Sequence, residues 1–118
     1  MKYVMWLIFL VALIPSIVRA DQTETEVDYL LTTIGSSECV FVRNGKEYNA
    51  EKAEAHLRMK FERGKQYAPT TEQFIQRLAS KSSMSRKSYF IECDGEARVP
   101  SGQWLTHLLN DYRAGNQT

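Results

Sequence analysis

The sequence is poor in cysteine, proline and histidine, with two, three and two of these residues among its 118. The cysteines, Cys39 and Cys93, do not form a C-x-x-C pair, and His56 and His107 lie at spacings unrelated to them. This pattern disfavours a thiol redox centre and a zinc site. No H-E-x-x-H motif, calcium loop or glycine-rich phosphate cradle occurs. The sequence therefore predicts no metal site and no cofactor.

A surplus of either charge is also missing, because the chain has 15 lysines and arginines against 14 aspartates and glutamates. Binding of nucleic acid depends on a basic surplus that faces the phosphates. The composition therefore argues against a nucleic-acid partner. No internal repeat or low-complexity tract divides the chain, so we expect one modest domain.

A long apolar run occurs only near the N-terminus, where it follows Lys2 and ends before a small residue, Ala20. The run is shorter than the roughly 20 residues that cross a bilayer core, and it has the three-part form of a secretory signal. We expect residues 1–20 to be a cleaved signal peptide and residues 21–118 to be a single exported domain, periplasmic or secreted. After cleavage no stable membrane anchor would remain. The alternative is an uncleaved N-terminal anchor.

Both cysteines lie in the part of the chain that is expected to be exported. An even pair in an oxidising compartment predicts a disulfide. The chain-entropy argument gives a stabilisation of roughly 4 kcal/mol for so long a loop. Cys39 begins one predicted strand and Cys93 ends another, so these ends meet if the strands are antiparallel neighbours.

Two β-hairpins are predicted. Alternating residues from Cys39 to Arg43 precede Asn44-Gly45, which suits a two-residue type I′ turn because both central residues need positive φ. Asp94-Gly95 is a second signal of the same kind, between a strand that ends at Cys93 and a short partner at residues 96–99.

Four helices are predicted from capping signals and apolar stripes. Thr23 and Glu26 have the spacing of a capping box, Asn49 is placed to cap a second helix, and Thr70 begins a second capping box. Ser101 precedes the last helix, which has a wide apolar face. The predicted fold is α+β: a small antiparallel sheet of two short hairpins, packed by about four helices and tied by one disulfide.

The candidate functional residues combine a histidine with cations and hydroxyl groups. His56 borders the apolar stripe of the second helix, where it is either a general base or recognition group, or a boundary histidine that bonds to the sheet. Arg43 lies beside the first turn and is expected to reach a ligand or a buried acid. The candidate binding surface consists of Arg43, His56, Lys60, Ser82, Ser83, Ser85 and the edge of Tyr89.

Residues 80–87 form a polar connection with four serines and three cations. A segment of this kind is typical of a solvated loop, although its cations are also suited to a carboxylate or a phosphate. It contains no G-x-S-x-G elbow and no S-x-x-K motif. A small hydrolase that uses a loop serine and His56 is the less favoured alternative to a binding module.

An ordered set of short motifs runs through residues 24–113. The motifs are Cys39-x-Phe41-x-Arg43-Asn44-Gly45, Ala55-His56-Leu57-x-x-Lys60-Phe61, Phe74-Ile75, Ala79-Ser80-Lys81-Ser82-Ser83-Met84-Ser85, Tyr89-x-Ile91-x-Cys93 and Trp104-Leu105. The set resembles the YfeK-like proteins, small exported bacterial proteins grouped as a domain of unknown function. The resemblance implies a periplasmic location and a cysteine-tied single domain, and it implies no activity. The loop of that family has a glycine where this chain has Arg86.

We therefore expect a non-enzymatic binding or protein-interaction module, with an unknown envelope protein or a small ligand as its partner. The spacing Ser85-x-x-x-Tyr89 is similar in part to the serine–glycine–tyrosine loop of periplasmic lysozyme inhibitors. An inhibitor of a cell-wall lytic enzyme is thus a second hypothesis.

Overall fold

A computed structural model describes residues 15–116, in which four helices pack with a four-stranded antiparallel sheet. Most of the predicted signal peptide, residues 1–14, lies outside this range. Within it, no helix combines the length and the apolar character needed to cross a membrane. The elements are α1 Pro15–Ser36, β1 Val40–Arg43, β2 Lys46–Tyr48, α2 Ala50–Gly64, α3 Thr71–Phe74, β3 Phe90–Glu92, β4 Val99–Pro100 and α4 Ser101–Asn116.

The sheet has the strand order β2-β1-β3-β4. The first hairpin is as predicted: Arg43 pairs with Lys46, and the turn residues Asn44 and Gly45 have φ values of 53° and 77°. Such positive values are adopted at little cost by asparagine and glycine. The α+β fold with its central pair of hairpins is confirmed.

The predicted disulfide joins Cys39 to Cys93. It follows from the register, because β1 and β3 are antiparallel and Val40 pairs with Glu92, which leaves the two cysteines side by side at the next position. The expectation for the second hairpin was wrong in detail. Only Gly95 of the Asp94-Gly95 pair has positive φ, and β4 begins at Val99. The connection after β3 is therefore a longer loop.

The hydrophobic core lies between the helices and one face of the sheet. Helix α1 contributes a stripe at the i, i+3, i+4, i+7 spacing, α2 a stripe at i, i+4, i+8, and the sheet contributes Phe41. The other face of the sheet carries Glu47 and Glu92, both of which contact Arg98. The core side chains of α1 and α2 are Val27, Leu30, Leu31, Ile34, Ala53, Leu57 and Phe61.

The start of α1 differs from the prediction, because the helix begins at Pro15 and Thr23 lies inside it. The Thr23 hydroxyl does not cap the helix but donates to the carbonyl oxygen of Pro69 at 3.0 Å. Glu26 is buried and accepts hydrogen bonds from Thr71 and Arg113 instead of closing a capping box. The apparent capping pattern is thus a pair of tertiary contacts.

Helices α2 and α3 begin at the predicted caps. The Asn49 side chain accepts from the backbone N–H of Lys52, and Thr70 and Gln73 form the reciprocal capping box. Helix α3 continues as a π-helical turn, Ile75–Ala79, after which Ser80 donates to the carbonyl oxygen of Ile75 at 2.5 Å. Gly102 allows α4 to approach this turn, because a Cβ there would lie 2.3 Å from the Ser80 hydroxyl.

Candidate functional site

Four of the predicted site residues meet on the helix-facing side of the sheet. Arg43 ends β1, on the same face as Phe41, and Tyr89 immediately precedes β3. His56 and Lys60 are four residues apart on α2, so they project from one face of that helix. We call the group formed by Arg43, His56, Lys60 and Tyr89 the basic cluster.

The side chains of the basic cluster are in direct contact. Arg43 Nη1 lies 3.1 Å from His56 Nδ1 and 3.0 Å from Nε2, and it donates to whichever ring nitrogen carries no proton. Lys60 Nζ donates to the Tyr89 hydroxyl at 3.1 Å and to the carbonyl oxygen of Lys81 at 3.1 Å. His56 Nε2 is 3.4 Å from the same hydroxyl. One phenol oxygen therefore links the histidine to the lysine.

The environment of the basic cluster disfavours the charged forms of His56, Lys60 and Tyr89. Burial, followed by the charges of Arg43 and Lys60, lowers the pKa of His56 to about 4. Burial and the charge of Arg43 lower the pKa of Lys60 to about 8. Burial raises the pKa of the Tyr89 hydroxyl. At neutral pH the cluster therefore holds a neutral imidazole and a neutral phenol between two cations.

Among the residues that the structure describes, neither cation of the basic cluster has an acidic partner. The ion pairs within residues 15–116 use Arg58, Lys65, Arg98, His107 and Arg113, and none of them includes Arg43 or Lys60. Of the two partners expected for Arg43, a buried acid is not found among the described residues, and a ligand stays a prediction. Half-buried cations without a counter-charge carry an uncompensated desolvation cost.

A small cavity of about 180 Å³ opens beside Arg43 and His56. Sequence reasoning missed two of its lining residues, Tyr48 and Lys52. The guanidinium carbon of Arg43 lies 4.5 Å from the centroid of the Tyr48 ring, which is a cation–π contact. The register of the first hairpin could have identified Tyr48, because Tyr48 pairs with Phe41 and therefore lies on the same face of the sheet.

The predicted serines lie at the edge of the basic cluster or away from it. Ser82 is buried, and its hydroxyl accepts from the backbone N–H groups of Met84 and Ser85. Ser83 is exposed. The Ser85 hydroxyl donates to Asn44 Oδ1 at 2.5 Å, which joins the serine loop to the first turn.

None of these hydroxyl groups hydrogen-bonds to His56 in the part of the chain that the structure describes. Nucleophilic catalysis needs such a contact between a serine and its base. The hydrolase hypothesis therefore gains no support from this geometry. Over the same residues, no three histidine, cysteine, aspartate or glutamate side chains are grouped so as to hold a metal ion.

Comparison with known proteins identifies the family. The sequence pattern of a family of unknown function, DUF5329, matches residues 21–113. The chain belongs to this family. The predicted resemblance to YfeK-like proteins is confirmed by a relative from Salmonella typhimurium (strain LT2), described as "Uncharacterized protein YfeK", which is 37% identical over 67 residues.

That match covers 56% of this chain and 56% of the relative, so only about half of the relative's length is represented. No solved structure matches the chain. Neither the family nor the relative carries an established activity, so a function has to be argued from the geometry of the site.

Proposed function

We propose that the protein is an exported, non-enzymatic binding module whose basic cluster holds an anionic group of a ligand or a partner. The observation that carries this proposal is the convergence of two half-buried cations, Arg43 and Lys60, on His56 and Tyr89 without any acidic partner among the described residues.

Holding the like charges of Arg43 and Lys60 close together has an energetic cost. The charges of Arg43 and Lys60 each lower the pKa of His56, and that of Arg43 lowers the pKa of Lys60. An anion between them would reverse these effects, because an opposite charge within about 4–6 Å favours the protonated forms. Ligand binding would then be coupled to proton uptake by the basic cluster.

The chemistry of the donors limits the anion to a carboxylate or a phosphate. Arg43 offers a guanidinium fork that matches both, and Lys60 offers a compact charge. The adjoining cavity of about 180 Å³ is smaller than the roughly 300–1,000 Å³ of pockets for drug-sized ligands. We expect it to accept one charged group at the end of a larger molecule.

The cellular setting of the proposal is the bacterial envelope. The apolar N-terminal run followed by Ala20 has the form of a signal peptide, and the Cys39–Cys93 disulfide suits an oxidising compartment. An envelope protein or a small envelope ligand is therefore the expected partner.

The test is an NMR titration of the full chain with sodium acetate and with inorganic phosphate at constant ionic strength. We expect saturable shifts at the His56 ring with a Kd in the millimolar range, as for one group bound without the rest of its ligand. Arg43→Gln and Lys60→Met should each abolish the saturation. Lys65→Met is the matched control, because Lys65 is exposed and paired with Glu24.

The proposal is wrong if neither anion shifts the His56 resonances, or if Arg43→Gln and Lys60→Met bind as well as the wild type. If the Lys65→Met variant also shows no saturable shifts at the His56 ring, the shifts of the wild type arise from unspecific charge effects.

An inhibitor of a cell-wall lytic enzyme is a second candidate. The observation in its favour is that Tyr89 belongs to the basic cluster, while Ser85 lies beside it through its hydrogen bond to Asn44, the residue after Arg43. The purified domain should then lower lysozyme activity, and the Ser85→Ala and Tyr89→Phe variants should lower it less. Unchanged lysozyme activity at micromolar protein would remove this candidate.

A further inference from the structure

Most of the unpaired cations of this nearly neutral chain form one group. Nine lysines and arginines take part in no ion pair within residues 20–116, whereas Arg58, Arg98 and Arg113 are each paired with two acids. Apart from Arg63 and Arg77, the unpaired cations form a group of seven. The chain also has no acidic residue between Glu72 and Glu92. The seven cations are Arg43, Lys46, Lys52, Lys60, Lys81, Arg86 and Lys87.

Contacts connect five of these cations, and Arg86 and Lys87 follow in the loop that begins at Lys81. The Lys46 and Arg43 side chains both lie over the Tyr48 ring, and Lys52 lines the same cavity as Arg43. Lys60 contacts the backbone of Lys81. We call this surface the cationic face, and the segment from Lys81 to Ser88 within it the basic loop.

The basic loop is a small ribbon with an apolar tip. Lys81 and Ser88 form an antiparallel bridge, and the backbone N–H of Ser82 donates to the carbonyl oxygen of Lys87 at 2.9 Å. Met84 lies at the turn with 94% of its surface exposed, more than Tyr67 at 66%. A methionine in this position contributes nothing to the core of its own domain.

Hydrogen bonds fix the shape of the basic loop. The Ser82 hydroxyl accepts from Met84 and Ser85, the Arg86 N–H donates to the Ser82 carbonyl oxygen at 3.0 Å, and Ser85 is bonded to Asn44. A loop that is ordered before it binds loses little conformational entropy on binding. Its tip is therefore suited to a partner of complementary shape.

We infer that the basic loop is a docking element that inserts Met84 into a carboxylate-lined cleft of another protein. Met84 would fill an apolar floor, since methionine adapts to irregular gaps. Lys81, Arg86 and Lys87 would face carboxylates at the rim, which sets orientation and speeds association. This inference goes beyond the basic cluster and does not depend on it, because Met84 and its flanking cations belong to a different segment.

The single apolar residue favours a protein over a lipid surface. Interfacial membrane binding scales with buried apolar area, and here that area is one methionine side chain between serines. A narrow loop of fixed shape would make few contacts with a lipid surface, whereas its shape fits a cleft in a protein.

The test is site-specific photo-crosslinking in intact cells that make the full chain. A benzophenone amino acid replaces Met84 in one strain and the exposed Tyr67, outside the cationic face, in a control strain. We expect a discrete protein product from position 84 alone, with the cross-linked peptide rich in aspartate or glutamate. The combined Lys81→Glu, Arg86→Glu and Lys87→Glu variant should reduce its yield at least about tenfold, by charge repulsion.

These three side chains are exposed and take part in no ion pair with the described residues, so the variant should retain the fold. A thermal melt of purified protein checks this. The inference is overturned by equal cross-linking at positions 84 and 67, or by a product that survives charge reversal. The inference would also be overturned if position 84 gave no cross-linked protein and the chain co-sedimented with phosphatidylglycerol vesicles in a way that depends on Met84. That result would favour a membrane surface as the partner.

The acetate titration and the cross-linking experiment test separate proposals. If acetate causes no saturable shifts while the cross-linked product still forms and still depends on charge, only the proposed anion site at the basic cluster is refuted.

Discussion

Arg113 in the last helix donates from Nε to Oε2 of Glu26 in the first helix at 2.8 Å, across 87 positions of sequence. A second donor, Nη2, reaches the other carboxylate oxygen at 2.9 Å, which makes the contact bidentate. The hydroxyl of Thr71 also donates to the Glu26 carboxylate, at 2.6 Å. Helices α1, α3 and α4 are thus held at one carboxylate.

Glu26→Gln should lower the free energy of unfolding by about 2 kcal/mol, because charged hydrogen bonds at a buried group are lost. The Arg113 hydrogen bonds lower the pKa of Glu26 below its usual 4.5. The contribution is therefore present above pH 4.5 and disappears as the pH falls through the lower folded-state value. Urea unfolding between pH 3 and 7 measures both effects. The control is Glu24→Gln, because Glu24 is exposed; an equal loss there would contradict the prediction.

Acetate binding at the basic cluster should weaken as the pH rises through about 8. Lys60 loses its charge there, since burial and the charge of Arg43 lower its pKa to about 8. His56 and Tyr89 stay neutral over this range, because the pKa of His56 is lowered to about 4 and burial raises the pKa of Tyr89. Isothermal titration at pH 6, 7, 8 and 9 measures the change. Lys60→Met should give no saturable acetate binding at any pH in this range. A wild-type affinity that is constant from pH 6 to 9 would contradict the prediction.

The low pKa of His56 should also appear in the pH dependence of the free energy of unfolding of the unliganded protein. Burial and the two cations lower that pKa to about 4, below the usual 6.5. Between these values the unfolded chain takes up a proton that the folded chain does not, so stability falls as the pH decreases from 6.5 to 4. His56→Gln should flatten this part of the profile. NMR titration of the His56 ring gives its pKa directly, and a midpoint near 6.5 would contradict this prediction.

Replacing both cysteines by alanine should lower the free energy of unfolding by at most about 4 kcal/mol, because the unfolded chain is no longer closed into a loop. Mass spectrometry of the native protein should show the loss of two protons. Free thiols in protein recovered from an oxidising compartment would contradict the assignment.

Arg86→Gly should stabilise the protein by about 1 kcal/mol or less. Arg86 has φ of 66°, which costs a side-chain-bearing residue roughly 1–2 kcal/mol, while glycine adds a smaller entropy cost. Arg86→Ala removes the same charge and keeps the backbone cost, so it serves as the control. Equal urea midpoints for the glycine and alanine variants would show that the backbone conformation carries no such cost.

The features that sequence predicted are those set by neighbouring residues. Asn49 and Thr70 cap helices through contacts three residues away, and Asn44-Gly45 fixes its own turn. The disulfide was predictable because each cysteine lies at a strand end. Glu26 misled the prediction, since its partners are 45 and 87 residues distant and no local pattern separates them from a capping box.

For the site, the spacing of His56 and Lys60 on one helix face was readable, and so was the position of Arg43 beside a turn. Their contacts with Tyr89 depend on how α2 crosses the sheet, which no local pattern determines. The segregation of unpaired cations was hidden as well, because composition reports a sum and not a distribution.

The hydrogen bond from Ser85 to Asn44 ties the basic loop to the turn that follows Arg43. The tip at Met84 and the basic cluster are consequently held at a set spacing. A molecule with two anionic groups can occupy both surfaces only if the separation of those groups matches that spacing, and a shorter or longer one engages a single surface. If both surfaces bind as proposed, this one contact makes the separation of the anionic groups a criterion for selecting the partner.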